Sequence, residues 1–263
     1  MLGKLLKYDL KWIYKVVVIF YILAIIFSIV ARVTGEIENS LLFEVISKIS
    51  ISCAISMAVS SLINSLMRSW VRFTQNMYKD ESYLTHTLPV KKKDLFNSKV
   101  ISGAVCIITT MIVILLCLFI CFYSEANMEI LKSLLELAAT TYNTTVLNLL
   151  LLVAMVFGLE LIYVLLTGYL GLILGHKSNT NKMLKSILLG FLIYSITQIA
   201  TVALIGIGGL FSGDIMNLIN TVEAVNIETI KNVMYMCVGV YFGYSVLLYI
   251  IARKQLNKGV NVE

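Results

Sequence analysis

Long apolar runs separated by short polar ones dominate this chain. Residues 16–33, 46–67, 100–123, 146–174, 187–211 and 232–252 are each apolar over roughly the 20 residues that carry a helix across a bilayer. None of them alternates apolar with polar, as the short strands of an outer-membrane barrel do. The chain holds one proline, so little interrupts a helical ladder. The pattern predicts an all-α integral membrane protein with six transmembrane helices.

Ahead of the first run, the period changes. Lys4, Lys7, Lys11 and Lys15 share one helical face, and Leu2, Leu5, Leu6, Trp12 and Ile13 share the opposite one. A basic amphipathic helix of this kind lies in the membrane interface. Residues 1–15 are therefore expected to form an interfacial elbow helix, residues 16–255 the six-helix domain and residues 256–263 a tail. The N-terminal segment lacks the cleavage site of a signal peptide. Asp9 sits near the centre of the apolar face, where pairing with a nearby lysine is expected and proton coupling is the alternative.

Composition narrows the function classes. Apolar residues make up 59% of the chain and charged residues 14%, with a mean hydropathy of +0.90. Soluble domains run near 45–50% and about 25% respectively, which excludes a soluble enzyme, a disordered chain and a disulfide scaffold. Cys53, Cys106, Cys117, Cys121 and Cys237 lie in apolar runs without paired spacing and read as small packing residues. His86 and His176 are the only histidines, too few for a multi-His metal site. Gly175-His176-Lys177-Ser178 lacks the upstream glycine of a phosphate loop. No catalytic constellation or cofactor site is expected in this chain.

Position gives the basic residues their meaning. Of 21 lysines and arginines, 17 fall at the N-terminus, in residues 68–99, after the fourth span and after the sixth. Only Arg32, Lys48, Lys132 and Lys231 fall on the other face. The positive-inside rule makes the first face cytoplasmic, with both termini on that side. The net charge of +6 is then a membrane feature and implies no nucleic acid.

Three sets of polar residues stand within the spans. Ser52, Ser56, Ser60 and Asn64 recur every four residues, and Tyr194, Gln198 and Thr201 share a face of the fifth span. Each stripe has two readings, hydrogen-bonded close packing or the lining of a translocation path. Glu160 is the one acid deep in a span, so it faces a partner helix or a cavity, in a structural or a substrate-coupling role. Gly171…Gly175 and Gly239…Gly243 carry the small-xxx-small spacing of helix contacts.

The cytoplasmic connection 68–99 holds the most specific motif. Asp80, Glu81 and Ser82 supply helix-start chemistry, and Tyr83, Leu84, Thr85, His86, Thr87 and Leu88 make about two turns before Pro89 ends them. A short helix held between two spans suits a soluble motor that pushes on it; an interfacial anchor is the other reading. The run from Asp80 through Pro89 and Val90 to Ser98 and Lys99 resembles the cytoplasmic loop of ABC-2-type exporter permeases of Gram-positive bacteria. Those proteins carry Asp-Glu-x-Tyr-Leu, then Thr-Leu-Pro-Val, basic residues and Ser-Lys between their second and third spans. His86 departs from the aromatic or aliphatic residue more usual there.

The resemblance implies a half-transporter of ABC-2 (type V) exporter-like fold. Two permeases, this chain with a second copy or a relative, would each couple through the loop helix to a separate ABC ATPase subunit that holds the ATP and Mg. The size of the chain and its separate motor are similar to permeases that export phenol-soluble-modulin-type peptides. The expected substrate is accordingly an amphipathic peptide or a lipophilic molecule. The residues alone leave two rivals: an ion-coupled carrier using Glu160, and a non-transporting membrane scaffold or sensor.

Overall fold

The computed structural model describes residues 2–37, 40–79, 81–87, 89–211 and 227–258, with side chains for all of these except 86, 209–211 and 227–230. Among the described residues every regular element is a helix. In chain order they are α1 (Leu2–Gly35), α2 (Leu41–Met77), α3 (Ser82–Thr87), α4 (Lys92–Phe122), α5 (Glu125–Thr141), α6 (Val146–Gly175), α7 (Lys182–Phe211) and α8 (Ile227–Asn257). Six of them (α1, α2, α4, α6, α7 and α8) are long and apolar enough to cross a membrane. This is a multi-pass membrane protein.

The described residues divide into two compact units, one within residues 2–129 and the other within residues 130–258, a boundary that no sequence feature marks. In the first unit α1, α2 and α4 pack on one another, with α3 against α2. α1 runs unbroken for 34 residues, from the basic amphipathic segment into the first apolar run. Its two glycines, Gly3 and Gly35, lie at its ends, and no proline interrupts it. At 1.5 Å per residue α1 is about 51 Å long and α2, with 37 residues, about 55 Å. Both exceed a bilayer core of roughly 30 Å, so they carry polar residues well beyond it.

Ile13, Val17 and Tyr21 of α1 close on Cys106 of α4, and Trp12, Tyr14 and Val113 flank them. Two cross-helix hydroxyl pairs fix the register, Tyr14 with Thr109 and Tyr21 with Thr110, each at 2.6 Å. The buried stripe of α2 is small: Ser50, Ala54, Ala58, Ser61, Ser65 and Ser69. Small side chains let helix backbones approach where burial by water exclusion offers no driving force.

In the second unit α6 is central, packed on α7 and α8. Its close face is glycine. A Cβ on Gly171 would stand 2.7 Å from the Gly190 Cα, and one on Gly175 2.4 Å from the Ser186 Cα, so the α6 and α7 backbones touch. Gly239 and Gly243 differ, since a Cβ on either meets nothing within 4 Å. Their spacing matches a contact motif without making that contact. α5 was not expected, and its 17 residues bury only Ala139.

Candidate functional site

The loop motif between α2 and α4 folds onto the polar ends of α1, α2 and α4. α3 has six residues, Ser82–Thr87. Ser82 and Thr85, one turn apart, are buried, whereas Tyr83 and Leu84 are 70% and 73% exposed. The Ser82 amide donates to the Lys79 carbonyl at 2.7 Å, and the Thr85 hydroxyl donates to the Glu81 carbonyl at 2.8 Å. Thr87 and Pro89 are exposed. Asp80 and Leu88, the other expected members of this helix, lie outside the described residues, as does the side chain of His86.

A buried polar network holds this helix in place. Arg72 of α2 donates from Nε to Asp9 Oδ1 at 3.0 Å and from Nη1 to Glu81 Oε2 at 2.8 Å. Ser98 donates to Asp9 Oδ2 at 2.7 Å, and Lys99 donates to both Asp9 and Asn76. Asn76 in turn donates to Glu81. Two carboxylates and two cations thus balance. The Asp9 and Lys99 side chains are 3% and 4% exposed, against 43% for Glu81. In such surroundings each ion depends on its partners, because the unpaired charge is costly to bury. Asp9 does pair with a lysine, as expected, but with one 90 residues away and not with a neighbour on its own helix.

Aromatic residues line this platform. Trp12 lies beneath two guanidiniums, Arg68 at 3.7 Å and Arg72 at 5.4 Å from its ring centroid. Phe73 meets Tyr78 and Phe96 edge-on at 6.1 and 6.2 Å. Tyr78 caps α2 through its backbone N–H, which donates to the Thr74 carbonyl at 2.9 Å, and burial pushes its hydroxyl well above its ordinary pKa. Arg72 and Asn76 were not singled out in the sequence, and Ser98 and Lys99 stood there only as the end of the loop motif. One available sign was Asp9 itself, an acid on an apolar face that demands a cation from elsewhere.

The polar residues within the spans fare unevenly. Ser52 and Ser56 are exposed and Ser60 and Asn64 half-buried, beside the buried serine–alanine stripe and not on it. Ser52 and Asn64 bond backward along their own helix, to the carbonyls of Lys48 and Ser60. The second unit does gather its candidates. Glu160 lies one turn before Tyr163 on α6, Tyr194 lies against the Tyr163 ring, and Thr201 reaches Tyr244 at 3.5 Å; Tyr163 itself is fully buried and shares a hydroxyl bond with Thr197. Tyr163 has Tyr194, Tyr241 and Tyr244 as ring neighbours, at 6.1, 5.6 and 6.0 Å between centroids. Glu160 lies near Cys237 and Tyr241 of α8, and Gln198 of α7 also lies near Tyr241. The α8 tyrosines were missed, although Tyr241 and Tyr244 are spaced to share a helical face.

Comparison with family models, with curated proteins and with solved structures finds no match to this chain.

Proposed function

We propose that this chain is the membrane permease of an ATP-driven exporter of the ABC-2 type, working with a separate ATPase subunit. The observation that carries the reading is the arrangement of α3. Its inner face is buried and its leading carboxylate is clamped to Arg72 and Asn76, while Tyr83 and Leu84 point outward together. A small rigid helix presenting an aromatic and an aliphatic anchor is what a partner's groove grips, since a few such anchors dominate binding energy. The lysine and arginine bias puts this helix on the cytoplasmic face, where ATP is available.

Nucleotide-driven closure of the ATPase pushes α3, and the network passes that displacement to α1, α2 and α4 together. The permease operates as a pair in the plasma membrane with both termini cytoplasmic, moving amphipathic peptides or lipophilic molecules outward. ATP and Mg reside in the motor. The test is Tyr83→Ala with Leu84→Ala. The variant inserts normally, because both changes lie outside the apolar runs. Affinity for the partner ATPase subunit falls by about tenfold or more, and substrate-stimulated hydrolysis in reconstituted vesicles is lost. Export and ATPase coupling at wild-type rates would overturn the reading.

A further inference from the structure

Glu160 is the fifteenth of the 30 residues of α6, so about 21 Å of helix lies on either side of it. That places its carboxyl near the middle of the span. It is half-buried, and no basic side chain pairs with it among the described residues. An acid at such depth is costly unless something complementary meets it. The first unit meets this requirement with Arg72 and Lys99 around Asp9. In the second unit Glu160 stands one helical turn before Tyr163, against whose ring Tyr194, Tyr241 and Tyr244 pack.

We infer that Glu160, Tyr194 and Tyr241 form a recognition site for the cationic head of an amphipathic molecule, an alkylammonium or lysine-type group on an apolar body. The inference rests on the export reading and names the substrate class for it. Tyrosine faces attract organic cations through the ring quadrupole, most strongly where water is excluded. Tyr194 is 37% exposed and Tyr241 half-buried, so both rings, packed on Tyr163 one turn from the carboxyl, have surface to offer. The hydroxyls of Tyr163 and Tyr244 are engaged by Thr197 and Thr201, which leaves those two rings as backing. Phe157, one turn before Glu160 and 57% exposed, supplies apolar surface for the body of the ligand. A metal ion fits poorly, because a single carboxyl is present. A proton would gain nothing from the aromatic faces.

The test uses the full chain in lipid nanodiscs with a fluorescent dodecyl probe bearing a trimethylammonium head, against the same probe with an uncharged hydroxyl head. The wild-type protein should bind the cationic probe about tenfold or more tightly than the neutral one. Glu160→Gln should erase that preference and Glu160→Asp should retain it. Tyr241→Leu should weaken cationic binding severalfold and Tyr241→Phe should leave it intact. Equal binding of the two probes by the wild type, or a preference that survives in a folded Glu160→Gln protein, would overturn the site. So would Glu160-dependent probe uptake driven by an imposed pH gradient in vesicles without an ATPase, which would make Glu160 a proton carrier. The binding assay contains no ATPase. A failed head-group preference therefore leaves the export reading standing, while that reading fails separately if no ATPase associates through Tyr83 and Leu84.

Discussion

Asp9 and Glu81 are bridged by one guanidinium: Arg72 bonds Asp9 through Nε at 3.0 Å and Glu81 through Nη1 at 2.8 Å. The first carboxylate belongs to the N-terminal helix and the second to the base of the loop helix. Any movement of α3 that drags Glu81 therefore loads the joint that holds α1 to α2. Lys99 closes the circuit through Asp9 and Asn76.

The two ends of this bridge should respond unequally to substitution. Asp9→Asn leaves Arg72 and Lys99 buried with one counter-charge too few, and should cost about 3–5 kcal/mol. Glu81→Gln removes a carboxylate that water already screens, and should cost about 1 kcal/mol or less. Thermal unfolding in detergent separates the two. Hydrogen exchange across residues 81–87 should rise in Glu81→Gln, because the helix loses its clamp while the bundle remains.

Helix contacts offer a contrast between matching motifs. Gly171→Ala and Gly175→Ala each drive a methyl group into the α7 backbone and should destabilise by roughly 1–3 kcal/mol. Gly239→Ala and Gly243→Ala meet open space, and they remove a residue that weakens helices by about 0.5–1 kcal/mol relative to alanine. They should leave the unfolding temperature unchanged or raise it.

A similar contrast holds on α2. Ser65 is fully buried and Ser61 is 1% exposed, whereas Ser56 is exposed. Ser65→Leu should lower the yield of folded protein and its unfolding temperature, because a large side chain separates helices that small ones let approach. Ser56→Leu should leave both intact. Loss of export in the stable Ser56→Leu protein would then mark that face as part of the path, and unchanged export would remove it.

Orientation is checked with single cysteines on a background stripped of the native five. Residues 36 and 129 should react with an impermeant maleimide in intact cells, and residue 92 only after permeabilisation. Glu36, Glu129 and Lys92 are all exposed in the fold, so protection reports the side of the membrane and not burial. The topology also puts Glu223 outside, but that residue lies beyond the described segments.

The sequence by itself determined the membrane class, the six spans and the place of the loop helix. These depend on composition over windows of about 20 residues and on local breakers such as Pro89, so neighbouring residues suffice to specify them. It also pointed to Asp9 and Glu160 as anomalies, because an acid among apolar residues violates a local rule. Only the tertiary structure decided how each anomaly is met. Asp9 finds Arg72 and Lys99 across 63 and 90 residues of chain, whereas Glu160 stands one turn from Tyr163, against which tyrosines from α7 and α8 pack. It alone also separated Gly171 and Gly175, which touch α7, from Gly239 and Gly243, which touch nothing. Spacing along one helix states which side chains share a face, but the partner on that face comes from another helix, brought there by the packing of the whole unit.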